Sequence, residues 1–415
     1  MEPDSLTIDG FGPLPVRRPA TVAELCDLTR EAVAAGRALY PVGGRTTLDV
    51  GLPPTKPGFA VATTALDQVI DYPARDMTIT VGAGITLAKL QATLARENQW
   101  LPVDAALPDR ATLGGAVALN TSGPRRLGYG TLRDYVIGIG FITDEGVEVK
   151  AGGRVVKNVA GYDLMKLHTG AVGTLGVITA LTLKVKPQPE ATAAVAFGCD
   201  AAAVPAVLDL LHASKSRPVA AELLNAAAWR AAGAGVPGPQ TEWVLVAGFE
   251  QKTATIAWQV ETLLAELKAV AVHDVSEMRG PDTAGLWQAL TDLQRRPASR
   301  LVWKANVPPS RVADVARSLP ADVPFLVHAE ALNGIVWFHA PDDLPADPGD
   351  ATLAALEQRI TAAGGNYCLT RCPAEWKRSL RVWGRPAGDR DLMRHVKRTL
   401  DPRNVFNPGR LFGDE

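Results

Sequence analysis

Long apolar runs are missing from this sequence, and no stretch approaches the roughly 18 residues needed to cross a bilayer. The opening MEPDSLTIDG is acidic and has no apolar centre, so it does not read as a secretory signal. Cysteine is scarce. Cys26, Cys199, Cys368 and Cys372 include no C-x-x-C pair, which speaks against a zinc ribbon or an iron–sulfur cluster. Cys368 and Cys372, four apart, read as two reduced thiols. Charge is also thin: 21% of residues are charged and the formal net charge is -1. That balance removes any general electrostatic case for nucleic acid or an anionic membrane as partner. These absences lead to the expectation of a cytoplasmic protein with no transmembrane segment.

Apolar residues and glycine are what the chain has in quantity. With 415 residues and 47% hydrophobic content it is too long for one core, so two or three domains are expected. Fourteen of its 38 glycines fall between Arg110 and Ala180, a sixth of the chain holding over a third of them. Glycine at that density means tight turns or backbone pressed against a ligand.

Ahead of this region, Thr21 and Glu24 stand at capping-box spacing before a helix that ends near Gly36. Strands are expected at Arg37–Pro41, Phe59–Thr64 and Met77–Val81, with a helix after Gly82-Ala83-Gly84 that turns Leu87, Leu90 and Leu94 to one face. Pro187-Gln188-Pro189 marks a boundary. Beyond it, two βαββα-like units follow one another, predicting an antiparallel sheet with helices on one face.

The first strand runs straight into "PVGGRTT", Pro41 to Thr47. Walker A is excluded, because no lysine follows Gly44 at the required place. The G-x-G-x-x-G fingerprint is excluded too, since the loop runs on into prolines instead of a helix. What remains is a strand-to-loop anion nest made by the amides of Gly43, Gly44 and Arg45 with the hydroxyls of Thr46 and Thr47, or a plain turn. A second phosphate requires more donors, for which Gly82-Ala83-Gly84 and Gly114-Gly115 are candidates.

"YPVGGRTT", "VGAGITLAKL", "LPDRATLGGAVALNTSGPRRLGYGTLRDYVIGI", "GGRVVKNVAGYDLMKLHTGAVGTLGVITALTLKVKPQPE" and "DPRNVFNPGRL" occur in that order. As a set they resemble the FAD-binding family of vanillyl-alcohol oxidase and the D-2-hydroxyacid dehydrogenases. Within it, the likeness is nearest to the flavin-binding E-type subunits of bacterial glycolate oxidases. It covers most of the first 190 residues and the last 15, while the middle of the chain is similar only in outline.

The resemblance implies an α+β architecture: a two-subdomain FAD-binding fold of the vanillyl-alcohol oxidase type with a ferredoxin-like cap. Its expected parts are an FAD-binding domain at 1–188 (subdomains 1–105 and 106–188), a cap at 189–385 and a C-terminal return segment at 386–415. By position it implies that Pro41, Val42, Gly43, Gly44, Arg45, Thr46 and Thr47 form the pyrophosphate loop. Gly82 and Gly84 would approach the adenosine-diphosphate side. Leu113, Gly114 and Gly115 would line the pyrophosphate and isoalloxazine. Asn120, Ser122, Gly123, Gly128, Tyr129 and Gly130 would lie along the ribityl chain or ring. Gly173, Gly176, Val177 and Ile178 would present backbone to adenine or flavin, and Asn407 and Arg410 would return to cover the cofactor. Members with a covalent flavin often have histidine where this chain has Arg45, so a non-covalent FAD is expected.

Oxidising a 2-hydroxy acid requires a cation for the carboxylate, a base for the hydroxyl proton, and a Cα–H directed at flavin N5. Relatives that do this resemble one another in a metal-binding H-x-G-D-G-N-x-H cluster followed by a glutamate. "VHAEALNGIVWFH" departs from it: the histidines are eleven apart and the glycine–aspartate core is absent, so no metal is expected. Taking Asn333-Gly334 as a two-residue turn pairs Leu332 with Ile335, His328 with His339 and Glu330 with Trp337, all four of the latter on one sheet face. His328, His339 and Glu330 could thus hold a metal of their own or act in proton transfer, against the preferred reading of ordinary sheet-face residues. Arg371, Arg378, Arg381 and Arg385 read as a solvated face or subunit contact in preference to a carboxylate site.

The expected function is an FAD-binding subunit of a glycolate oxidase or dehydrogenase complex. Its partners would be a catalytic flavoprotein and an iron–sulfur subunit, with a small 2-hydroxy acid as substrate and the assembly able to lie peripherally at the inner membrane. The alternatives are a self-sufficient FAD dehydrogenase of D-2-hydroxy acids and a non-redox scaffold with a decayed flavin site.

Overall fold

Thr21 and Glu24 act as their spacing predicts. The Thr21 hydroxyl accepts from the Glu24 amide at 3.1 Å, the Glu24 carboxylate takes the Ala20 amide at 2.8 Å, and the helix Val22–Ala34 follows. The computed structural model describes residues 4–154, 161–233, 241–295, 299–319, 324–341, 351–386 and 388–413. Part of the "VVKNVAGYDLMKL" motif, residues 155–160, lies outside these.

The chain divides into two compact units. The first comprises Met1–Thr121, Thr131–Gln188 and Pro386–Glu415. Strands β1 (Ser5–Ile8), β2 (Phe11–Arg17), β3 (Ala38–Val42) and β4 (Gly58–Ala62) form a sheet in the order β1-β2-β4-β3, with β3 parallel to β4. Gly58 is required where these two meet, because a Cβ there would stand 2.0 Å from the Ala38 carbonyl oxygen. A second sheet uses β5 (Val69–Asp71), β6 (Thr78–Gly82), β8 (Val136–Ile142), β9 (Glu148–Gly152) and β10 (Val177–Lys184) in the order β5-β6-β10-β8-β9, while β7 (Gln99–Trp100) pairs with β11 (Lys186–Pro187). Leu25, Leu28, Leu39, Val61, Ile142, Val177 and Phe406 make one buried cluster, so the C-terminal segment is part of this unit's core. The backbone agrees: Leu39 donates to the Val405 carbonyl at 2.7 Å, and Asn407 donates back to Leu39 at 2.9 Å.

The second unit is Ser122–Gly130 with Pro189–Arg385. Its strands are β12 (Ala191–Cys199), β13 (Ala220–Asn225), β14 (Trp243–Gln251), β15 (His273–Arg279), β16 (Val302–Asn306), β17 (Leu326–Glu330), β18 (Ile335–His339) and β19 (Asn366–Arg371). They form one eight-stranded sheet, β15-β12-β14-β13-β17-β18-β16-β19. Numbered within itself, each half runs 4-1-3-2, so the repeat read from the sequence is a repeat of ferredoxin-like halves joined through β13 and β17.

Helices on one face was the expectation, and it is corrected: both faces are covered. Ala194, Ala196 and Ala220 present small side chains on one face, where Trp229, Leu286, Trp287 and Leu290 of the helices Ala226–Ala232 and Asp282–Asp292 pack. Gly248 completes that hollow, since a Cβ there would lie 2.3 Å from the Trp287 ring. The helix Thr253–Leu267 also packs on β12 and β14, where Val195, Phe197, Leu245 and Phe249 are fully buried. No helix among the described residues is long and apolar enough to cross a membrane.

Candidate functional site

β3 delivers Val42 into the Gly43–Thr47 loop, which lies against the segment before the helix Leu113–Leu119. A Cβ on Gly43 would meet Thr112 Oγ1 at 2.1 Å, and one on Gly44 would meet the Arg110 carbonyl oxygen at 1.6 Å. Both glycines are therefore demanded by protein contact before any ligand is considered. Arg45 follows in the left-handed region, with φ 57°. Among the described residues no protein acceptor takes the amides of Gly43, Gly44, Thr46 or Thr47. Successive free amides around a left-handed residue form an anion nest. The donor set fits a phosphate of FAD.

The second donor set expected from the sequence is corrected. Gly82 donates to Gln68, Ala83 to Thr179, Gly84 to Leu66, Leu113 to Ile85 and Gly114 to Ala83, all at 2.8–2.9 Å. The Gly115 amide is held by Thr112 Oγ1 at 3.3 Å. These glycines let loops cross closely, and their amides are already engaged. A Cβ on Gly84 would lie 2.0 Å from the Thr63 carbonyl oxygen, and one on Gly114 2.9 Å from Ala83.

Other expected positions divide between the units. Gly173 comes beside Pro41 and Asn407 in the first unit, its Cβ direction reaching Pro41 Cγ at 3.8 Å and Asn407 Nδ2 at 3.0 Å. Asn120 ends the helix Leu113–Leu119 with φ 49°, and its Oδ1 is buried without a hydrogen-bond partner. Gly176 has φ 153°, and Val177 and Ile178 are buried β10 residues paired to Ile142 and Phe141 of β8. Ser122, Gly123, Gly128, Tyr129 and Gly130 belong instead to the second unit, a departure from a continuous domain at 1–188. The Gly128 amide donates to Val219 at 2.9 Å, and the Ser122 carbonyl accepts from Gln294 at 3.1 Å.

Arg410 is taken up by protein acceptors. Its guanidinium donates to Asp9 at 2.5 Å and to the carbonyls of Leu48, Val50 and Leu52 at 2.5–2.6 Å. Only 4% exposed, it holds the loop that follows the nest.

In the second unit, β17 and β18 place His328, Glu330, Trp337 and His339 on one face, as expected, but in another register. Glu330 pairs with Ile335 and His328 with Trp337. The turn is not Asn333-Gly334 alone: a 3-10 turn at Ala331–Asn333 precedes a left-handed Gly334, making a four-residue connection. Slipping by two residues keeps every side chain on its face, because the strand period is two. Both histidines are buried, and their Nε2 atoms lie 3.2 Å apart. The His328 ring is stacked on Trp337 at 5.8 Å, and burial pushes its pKa down to about 3. Glu330 lies directly across from Glu222 of β13, also buried. Among the described residues no three His, Cys, Asp or Glu are grouped to hold a metal. Of the arginines, Arg371 donates to the Ser299 carbonyl at 3.1 Å, and Arg381 and Arg385 share Glu357 at 3.1 and 3.8 Å.

Comparison with known proteins identifies the cofactor. The FAD binding domain family matches residues 13–152, and the C-terminal domain of FAD linked oxidases matches 186–343 and 385–411. The chain belongs to the FAD-linked oxidases. FAD is the cofactor of this FAD-linked oxidase, and it is an FAD-dependent oxidoreductase. It is 26% identical to the glycolate oxidase subunit GlcD of Bacillus subtilis, over 91% of this chain and 84% of that protein. It is 35% identical to the glycolate oxidase subunit GlcE of Escherichia coli, over 40% of this chain and 48% of that protein. A 4-ethylphenol oxidase from Gulosibacter chungangensis shares the fold at TM-score 0.69 with 15% identity, covering 99% of this chain and 90% of that one. The α+β FAD-oxidase architecture expected from the sequence is the one found.

Two residues of the FAD-linked oxidase's nest escaped the sequence reading. Thr112 caps the helix Leu113–Leu119 and forms the wall against Gly43, while Arg110 backs Gly44. A threonine before an apolar run was the available signal for the first. Nothing local signals the second, because the contact joins segments more than 60 residues apart.

Proposed function

We propose that this FAD-linked oxidase is the FAD-binding subunit of a glycolate oxidase-type assembly, working beside a catalytic flavoprotein and an iron–sulfur protein. The assembly would oxidise glycolate to glyoxylate. Bound FAD supplies a two-electron acceptor. The Gly43–Thr47 amides would hold its phosphate, with Gly43 and Gly44 giving the close approach that a bulkier loop would block.

The observation that carries this reading is the His328–His339 contact. Each Nε2 faces the other at 3.2 Å, so one imidazole donates to its neighbour and these two nitrogens are taken up by each other. Trp337 covers one ring face of His328, and burial keeps that imidazole neutral. Such a pair suits a chain that binds FAD and relies on another subunit for substrate. Similarity to two proteins named as glycolate oxidase subunits supports the same assignment.

The test is turnover. The purified chain should retain FAD yet reduce an artificial acceptor with glycolate at a small fraction of the rate seen after co-expression with its partners. Fast glycolate turnover by the chain alone would overturn the assignment.

A further inference from the structure

The helix Arg390–Leu400 turns a lysine inward and leaves Leu392 and Met393 outside, 64% and 42% exposed. Lys397 is 2% exposed, and each of its three donors has an acceptor: Asp401 Oδ2 at 2.6 Å, the Thr174 carbonyl at 2.9 Å and the Phe406 carbonyl at 2.9 Å. Burying an ion pair is rarely the cheapest way to stabilise a fold. What this pair holds is therefore informative.

It holds a turn with a left-handed β-branched residue. Val172 is β-branched and has φ 55°, and Gly173 follows at φ 66°. Val172 is fixed from two sides: its amide donates to Ala118 at 2.8 Å, and its carbonyl accepts from Asn407 Nδ2 at 2.7 Å. Two carbonyls of the turn, Val172 and Thr174, are thus pinned by the C-terminal segment through Asn407 and Lys397. In a planar trans peptide the N–H of the next residue points opposite to the carbonyl. The amides of Gly173 and Leu175 are accordingly turned away from that segment, and among the described residues neither has a protein acceptor. Gly173 adjoins Pro41, the residue that leads into the nest.

We propose that Lys397 and Asn407 are positioning residues. By pinning the 172–174 carbonyls they direct the Gly173 and Leu175 amides at the cofactor's diphosphate, the second donor pair that Gly82–Gly84 and Leu113–Gly115 do not supply. This rests on the reading of Gly43–Thr47 as an FAD phosphate nest.

The experiment uses the whole chain stripped of flavin, titrated with ADP and, separately, with FAD. Lys397→Met should weaken both by about tenfold or more, the worth of hydrogen bonds to a charged group. Asn407→Ala leaves the Lys397–Asp401 pair intact and should act in the same direction, so the result stands if Lys397→Met fails to fold. The double variant should lose less than the product of the single effects, because both act through one turn. FAD-loaded variants should keep the wild-type visible flavin bands, because the proposed contact is to the diphosphate. A folded Asn407→Ala that binds ADP as wild type does, or a variant whose flavin bands move while ADP affinity holds, would overturn the proposal. A wild-type chain that takes neither FAD nor ADP would instead overturn the nest itself.

Discussion

The Cα of Gly44 is set so close to Arg110 that a Cβ would stand 1.6 Å from the Arg110 carbonyl oxygen. Backbone cannot retreat as a side chain can, so Gly44→Ala must push two loops apart. Gly115 is the natural contrast, with nothing nearer than 3.2 Å and a helical backbone that favours alanine. Gly44→Ala should lower stability by about 1–3 kcal/mol or more, as overpacking does, and abolish FAD retention. Gly115→Ala should leave the flavin-free melting temperature unchanged or slightly raised. If Gly115 also lines the cofactor, its FAD affinity falls while that stability holds. Paired melting curves and FAD titrations separate the two effects.

Acid should destabilise this protein through two imidazoles. Burial lowers the pKa of His168 to about 4 and of His328 to about 3, from an ordinary value near 6.5. Below that ordinary value the unfolded chain takes up protons that the fold refuses. Stability is therefore complete above about pH 6.5 and falls as pH drops toward the folded values. Each histidine accounts for roughly 2 kcal/mol of loss by pH 5. Urea unfolding at pH 7, 6 and 5 should show the decline, and His168→Phe should flatten it by about one proton. An unchanged slope in that variant would show that His168 is protonated in the fold.

Much of this architecture was legible because the chain writes it locally. Thr21 with Glu24 declares a helix start, and the βαββα order recurs, with a fourth strand closing each half. Strand β15, "HDVSEMR", was not legible. It lies at the sheet edge with His273, Asp274, Val275, Glu277 and Arg279 exposed, so no buried side alternates with a polar one. Glycine misled in an instructive way: Gly82, Gly84 and Gly114 were read as donors for a second phosphate, yet they serve protein crossings. The hairpin shows the limit of turn rules. Asn333-Gly334 gave the correct face and a register wrong by two, because Gly334 is held left-handed beneath the Val307 carbonyl, 2.0 Å from where a Cβ would be.

The resemblance puts Arg45 where members with a covalent flavin often have a histidine, whose ring nitrogen can attach to the flavin. A guanidinium stays protonated and is a poor nucleophile. Acid precipitation of the yellow protein should leave all flavin in the supernatant and a colourless pellet. A yellow pellet would mean a covalent bond elsewhere in the chain.

Arg410 and Asp9 form the last relationship with a measurable consequence. Their buried pair, with the carbonyls of Leu48, Val50 and Leu52 on the same guanidinium, fixes the loop that follows the nest. Arg410→Leu strands the Asp9 carboxylate and three carbonyls, and should cost about 3–5 kcal/mol. Arg410→Lys should recover less than half of that, because a point charge cannot reproduce a planar fork reaching four acceptors. In chains that remain folded, FAD affinity should change by less than threefold, since the Arg410 guanidinium is spent on Asp9 and three backbone carbonyls. Unaltered stability combined with a large loss of FAD affinity would return Arg410 to the cofactor's own surroundings.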